Sequence, residues 1–335
     1  MKSSSDVIII GAGIIGCSIA YRLAQEGLRV TVIEKGQSGE EASSAAAGML
    51  APQAEAAHGL HSSLSELCVA SHALYPNFVA ELEEETGIKI GYQNSGSIFV
   101  ATDFKEAMTL AGLLERQRKA GMQAEELSAN QLKELEPALD KTIEVGVYLP
   151  EDHYVDNRRL IKTLVASAAR RGVEFLTGTP VIGFDYRKAS VVGVKIPGSV
   201  LNGDIFINAA GCWAGLVDPT NRIPLPIRPI RGQMVCVEKQ PQPLRHLIHS
   251  TGCYLVPWPD GRILVGSTLE NVGYNKAVTA QGIHQLLKAA LKIVPPLESA
   301  HIQEVWAGLR PDTQDNLPIL GTTSISNLIM ATGHF

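Results

Sequence analysis

The stretch from Val7 to Glu34 limits what this chain can fold into more than any other. Val7-Ile8-Ile9-Ile10 leads into Gly11-Ala12-Gly13-Ile14-Ile15-Gly16, then a helix-patterned run to Gly27, then Arg29-Val30-Thr31-Val32-Ile33-Glu34. Four apolar, β-branched residues predict a buried strand. The glycines follow at the G-x-G-x-x-G spacing. Gly11 permits the tight turn, Gly13 lets backbone approach a pyrophosphate, and Gly16 lets the helix pack close to the strand. The helix N-terminus offers free N–H groups and a positive dipole end to phosphates. Glu34 ends the second strand, where a carboxylate can accept ribose hydroxyls. The same carboxylate would face the 2′-phosphate of NADP, which disfavours that dinucleotide. FAD and NAD share the ADP half, so this stretch leaves both open, beside the plain alternative of a βαβ unit with a tight turn.

The whole chain is long enough for two lobes: 335 residues, 45% of them hydrophobic. The 29 basic and 34 acidic residues are well mixed and no basic run occurs, which argues against nucleic acid as a partner. Cys17, Cys68, Cys212, Cys236 and Cys253 show no metal-binding spacing. Scattered and odd in number, they read as reduced thiols of a cytoplasmic protein with no metal site. No apolar run is long enough for a membrane span. Lys2, the apolar stretch to Ala20 and Ile15-Gly16-Cys17 imitate a lipoprotein signal, but the glycine fingerprint and Asp6 explain these residues better.

Beyond Glu34, a polar turn leads to Ser43-Ser44-Ala45-Ala46-Ala47-Gly48-Met49-Leu50. Side chains this small suit either a flat ligand or a close helix–helix contact. Residues 60–86 have a helical rhythm through Leu64, Leu67, Leu74, Phe78 and Leu82. Strands are expected around 88–101, 145–148, 172–176, 180–182 and 204–208, and helices over 103–120 and 158–171. Met234–Val237, Gly252–Val256 and Arg262–Gly266 read as short antiparallel strands, followed by a helix over 279–294. The expected fold class is α/β: a Rossmann-like nucleotide lobe from residues 1–86, 141–220 and 306–335, and a second α+β lobe on an antiparallel sheet from 87–140 and 221–305.

Taken in order, the fingerprint with Glu34, Ser43–Leu50, Asn208-Ala-Ala-Gly211, Trp306-Ala-Gly-Leu-Arg310-Pro311 and Ala331-Thr-Gly-His-Phe335 form a pattern. The chain resembles the D-amino-acid oxidase-like FAD-dependent oxidoreductases, and within them the glycine oxidases of the thiamine pathway. The resemblance spans essentially the whole sequence. It implies FAD held non-covalently: Ser43–Leu50 contains no histidine and Pro311–Gly321 no cysteine for a covalent link. It places Ile14 and Ile15 at the pyrophosphate turn, Glu34 and Lys35 at the ribose, and Ala42 and Ser43 at the phosphates. Ala47, Gly48 and Met49 fall beside the flavin, the Val181 backbone at adenine (an ordinary ladder bond being the alternative), and Gly333 at the cofactor.

For chemistry the resemblance points to Arg310, whose guanidinium fork matches a substrate carboxylate, and to Tyr254 as a second carboxylate contact. An ion pair with Asp312 or Asp315 is the plain alternative for Arg310, and a core position for Tyr254. Met49 and Leu269 are candidate apolar walls, and His334 reads as structural. The implied reaction is oxidative deamination of glycine or another small amino acid or amine to a 2-oxo acid, ammonia and hydrogen peroxide, with molecular oxygen as acceptor and a homo-oligomer as the expected assembly. Rivals are a flavin dehydrogenase of D-amino acids or 2-hydroxy acids that reduces a quinone, a non-catalytic flavin- or NAD-binding subunit, and an NAD dehydrogenase. In the family the final strand runs on into a glycine-containing turn, an arginine and a helix aimed at the flavin, so a chain ending at Phe335 is expected to bind FAD weakly and turn over poorly.

Overall fold

A computed structural model describes residues 5–57 and 62–335. Lys2, of the signal-like N-terminus, and residues 60 and 61, the expected start of a helix, lie outside the described residues.

The Val7–Ile10 run lies in the strand Ser5–Ile10, at the centre of the first sheet. It pairs in parallel with Ser199–Asn208 on one side and Val30–Ile33 on the other. Leu328–Thr332 extends the sheet beyond Ser199–Asn208, and Glu174–Leu176 extends it beyond Val30–Ile33, again in parallel. Side chains alternate across a strand. Val7 and Ile9 accordingly enter a core with Tyr21, Leu82, Leu160 and Leu164, under the helices Ile14–Gln25, Ser62–Thr86 and Asn157–Arg170. Ile8 and Ile10 enter the opposite core with Phe184, Val194 and Phe206. Burial on both faces explains why the strand reads as a continuous apolar run. Asp156 starts the Asn157–Arg170 helix by accepting the Arg159 amide at 3.0 Å.

Among the described residues, the second sheet has eight strands. His301–Thr313 and Ile227–Glu238 pair antiparallel along most of their length, and Arg262–Gly266, Cys253–Pro257, Leu247–Ser250, Ser97–Ala101, Val145–Leu149 and Glu125–Ser128 follow in that order. Val235 and Val265 meet the helix Ala280–Ile293 through Leu286 and Ala290. Met234, Cys236 and Leu264 face the other way, toward Ala47, Met49 and Trp306. This second face is where the lobes meet.

Several details differ from the sequence reading. Val145–Leu149 and residues 306–313 of the His301–Thr313 strand, expected in the nucleotide lobe, belong to the second sheet, so Arg310 projects from that sheet. Only Ser97–Ala101 is a strand within 88–101, apart from a single bridge between Gln93 and Tyr154. The strand near 180 begins at Gly183. Leu67 and Leu74 are exposed, because only the C-terminal half of their helix packs on the core through Phe78, Val79 and Leu82. All five cysteines are free. Among the described residues, no helix is long and apolar enough to cross a membrane, and no cluster of His, Cys, Asp or Glu is arranged to hold a metal.

Candidate cofactor and substrate site

The glycine turn is shaped by contacts that a side chain would block. Gly11 has φ +102°, and a Cβ there would lie 2.5 Å from the Ala209 carbonyl oxygen. At Gly16 a Cβ would lie 2.0 Å from the Gly11 carbonyl oxygen, so helix and turn touch backbone to backbone. The helix Ile14–Gln25 begins at Gly13 with no acidic side chain in its first turn. Its Ile14 amide donates to Ser43 Oγ at 2.8 Å. Glu34 spans the turn: one carboxylate oxygen accepts the Ala12 amide at 2.8 Å and the other accepts the Gly36 amide at 2.9 Å.

These elements open onto a cavity of about 460 Å³. Gly11, Gly13, Ile14, Ile15, Glu34, Lys35, Ala42, Ser43, Gly48, Met49 and Val181 all line it. Val181 precedes the ladder, which begins where the Ile182 amide meets the Lys195 carbonyl. Gly16 lies beneath the turn rather than on the wall. Ala47 is buried in the cluster with Tyr154 and Met234. Gly333 forms a turn at φ +77°, where a Cβ would meet Thr313 Cγ2 at 2.7 Å, while its neighbours Thr332 and His334 reach the cavity. Ala209, Gly211, Cys212 and Trp213 also line it. The Asn208–Gly211 motif was visible in the sequence, but nothing local showed that its far end would turn back onto the cavity.

Ser43–Leu50 is small because two elements converge on it. The Trp306 indole N–H donates to the Ala45 carbonyl at 3.0 Å, and the Asn157 side chain donates through Nδ2 to the Ser43 carbonyl at 2.6 Å. A Cβ at Gly308 would lie 2.5 Å from the Ala45 methyl. Gly48, at φ +78°, would place a Cβ 1.9 Å from the Val155 carbonyl oxygen. A strand of the second sheet and the start of the Asn157–Arg170 helix thus both bear on the short helix Ala42–Ala45.

Arg310 stands on the His301–Thr313 strand with its guanidinium over Gly232, where any Cβ would collide with it. It donates to Ser267 Oγ at 2.5 Å and to the Thr268 carbonyl at 3.4 Å. Asp312, one of its two expected ion-pair partners, is bound by Arg228 across the ladder. The Tyr254 hydroxyl lies 3.4 Å from Met234 Sδ, and its ring packs over Gly266. Burial pushes this phenol above its ordinary value, with Ser267 and Arg310 opposing, so it stays a protonated donor at neutral pH. The sequence reading missed Ser267. Leu269 is 69% exposed, away from a wall position.

Behind Arg310 lies a polar cluster whose inner members, Arg231 and Gln233, are buried. Glu270 accepts from Thr268 Oγ1 and Gln233 Nε2, both at 2.6 Å, and pairs with Arg231, which is 4% exposed. Burial would raise the Glu270 carboxyl, but the bonds from Arg231, Thr268 and Gln233 win and hold it at about 2.

The family described as DAO, FAD dependent oxidoreductase, matches residues 6–335. The chain belongs to this family. FAD is therefore the cofactor of this DAO-family chain, and the geometry fits it: a Cβ-free turn, a helix start without an acid, and Glu34 on the wall beside them. The chain is 36% identical over 334 residues to the bifunctional protein ThiO/ThiG of Trichormus variabilis, covering 98% of this chain and 50% of that protein. It thus spans about half the length of the first curated relatives it matches. It is also 36% identical over 340 residues to a glycine oxidase of Geobacillus kaustophilus, covering 100% of this chain and 89% of that protein. The crystal structure of glycine oxidase from Geobacillus kaustophilus superposes with a TM-score of 0.94 at 33% identity, covering 99% of this chain and 90% of that one.

Proposed function

We propose that this DAO-family oxidoreductase removes two electrons from the C–N bond of a small amino acid or amine, with glycine as the leading substrate. One observation carries the reading: Arg310 and Tyr254 come together on the face of the second sheet that turns to Met49, itself a residue of the cavity wall. A cation and a neutral hydroxyl donor, set side by side, suit a carboxylate. Arg310 binds it through the guanidinium fork, and the Tyr254 hydroxyl donates a second bond. Ser267 fixes the angle of the fork. Met49 supplies an apolar wall that excludes water, and the carboxylate anchor holds the substrate α-carbon in one orientation. Bound FAD supplies the two-electron acceptor for this chemistry. The substrate imine then adds water and releases ammonia and a 2-oxo acid, which for glycine is glyoxylate, while oxygen takes the two electrons and two protons as hydrogen peroxide.

The test is oxygen uptake and peroxide release by FAD-loaded protein with glycine, sarcosine and D-alanine. The expected result is one peroxide and one 2-oxo acid per oxygen consumed. Substrate-dependent reduction of a quinone analogue without oxygen uptake would replace this reading with a dehydrogenase.

A further inference from the structure

We propose that residues 270–277 form a strap that belongs to the cofactor site and slows the release of bound FAD. The segment joins the second-sheet strand Arg262–Gly266 to the helix Ala280–Ile293, and residues 271–278 are all exposed. Both of its roots are held by one buried side chain. The Arg231 backbone exchanges hydrogen bonds of 2.9 and 3.0 Å with Glu270, and its guanidinium pairs with the Glu270 carboxylate. The same guanidinium donates through Nη1 to the Ala277 carbonyl at 2.7 Å.

The tip reaches across to the nucleotide lobe. The Tyr274 hydroxyl donates to the Cys212 carbonyl at 2.9 Å, and its ring lies 6.0 Å from that of Trp213. Lys276 Nζ lies 2.9 Å from one oxygen of Glu41, and Lys35 Nζ lies 3.3 Å from the other. Lys35 Nζ also sits 3.3 Å above the centre of the Trp213 ring. Lys35, Glu41, Cys212 and Trp213 all line the cavity. The strap therefore grips the cavity wall from outside at two separate segments of the nucleotide lobe.

Its chemistry suits a diphosphate ligand. Glu41 stands on the wall of a site that receives phosphates, where a bare carboxylate would repel them. Lys276 and Lys35 together reverse its charge. An exposed loop without a core of its own keeps its position through such contacts, so weakening them frees the Trp213 side of the wall.

The experiment follows FAD leaving the loaded protein after dilution, by the rise of free-flavin fluorescence, at low and high salt. No turnover is measured, so the outcome is independent of the substrate reading. Tyr274→Phe deletes only the bond to Cys212, and Lys276→Met only the charge. Each is expected to speed release about threefold, and the pair about tenfold. Salt is expected to speed release from the parent protein, and to do so less in Lys276→Met, because an exposed ion pair is screened. Lys276→Arg is expected to keep the parent rate. A doubly substituted protein that melts like the parent and releases FAD at the parent rate overturns the proposal, as does an unchanged salt dependence in Lys276→Met. If the double variant does not fold, the two single variants decide by the same criteria.

Discussion

Ser43 Oγ accepts the Ile14 amide across 29 residues of sequence, so the helix after the glycine turn takes its first cap from the small-residue segment. The cap is neutral, and it leaves the positive end of the helix for an anionic ligand. Ser43→Ala is expected to weaken FAD binding about fivefold, roughly 1 kcal/mol, when apoprotein is titrated with FAD. An unchanged dissociation constant would show that this bond does not shape the phosphate site.

Gly48 tests the packing within the nucleotide lobe. Its φ of +78° and the Val155 carbonyl leave no room for a methyl group. Gly48→Ala is expected to destabilise the protein by about 3 kcal/mol or more, read as a lower urea midpoint. Gly27→Ala makes a useful contrast. Gly27 shares the left-handed conformation at φ +81°, but a methyl group there would meet nothing within 4 Å, so only the smaller backbone penalty is expected, about 1 kcal/mol.

Arg310→Lys keeps a positive charge and loses the fork. If Arg310 holds the substrate carboxylate, kcat/KM for glycine falls about a hundredfold, roughly 3 kcal/mol, mostly through KM. FAD affinity should be unaffected. A loss confined to FAD binding would move Arg310 out of the substrate site.

His72 and His153 meet at 2.9 Å between Nε2 and Nδ1, and the Tyr92 hydroxyl approaches the same His153 nitrogen at 2.5 Å. Burial, then the neighbouring His72, lower His153 from its ordinary 6.5 to about 4, and burial lowers His72 against the pull of Glu151. A base with a depressed folded value binds fewer protons folded than unfolded. Its contribution to stability is therefore present above about pH 6.5 and is lost as pH falls toward 4. Urea midpoints should drop across that window, and His153→Gln should flatten the slope. A slope that is the same in this variant would place the acid sensitivity elsewhere.

The nucleotide lobe was legible where geometry is local. In Val7–Glu34 Gly16 answers to a contact within the turn and Gly11 to the adjoining Ala209 backbone, and Asp156 and Thr279 announce their helices by capping them. The second sheet was less legible. Ile227–Glu238 runs twelve residues, yet only Met234–Val237 read as strand, because prolines 224, 226 and 229 suggest a crossing. Pro229 faces Pro311 across the ladder, a pairing in which neither residue has an amide to donate. Ser267 could not be found at all: its partner Arg310 arrives on a strand 43 residues later, and an isolated serine in a turn carries no signal of that meeting.

Arg231 has a place in two structures at once. It pins the roots of the 270–277 strap, and through Glu270 and Thr268 it supports the carbonyl that accepts from Arg310. Grafting a relative's loop here to widen substrate choice would thus disturb cofactor residence as well, unless the graft kept the arginine and the glutamate as a unit. The same linkage makes this loop a poor site for a purification tag or a fluorescent label, even though it is among the most accessible stretches of the chain.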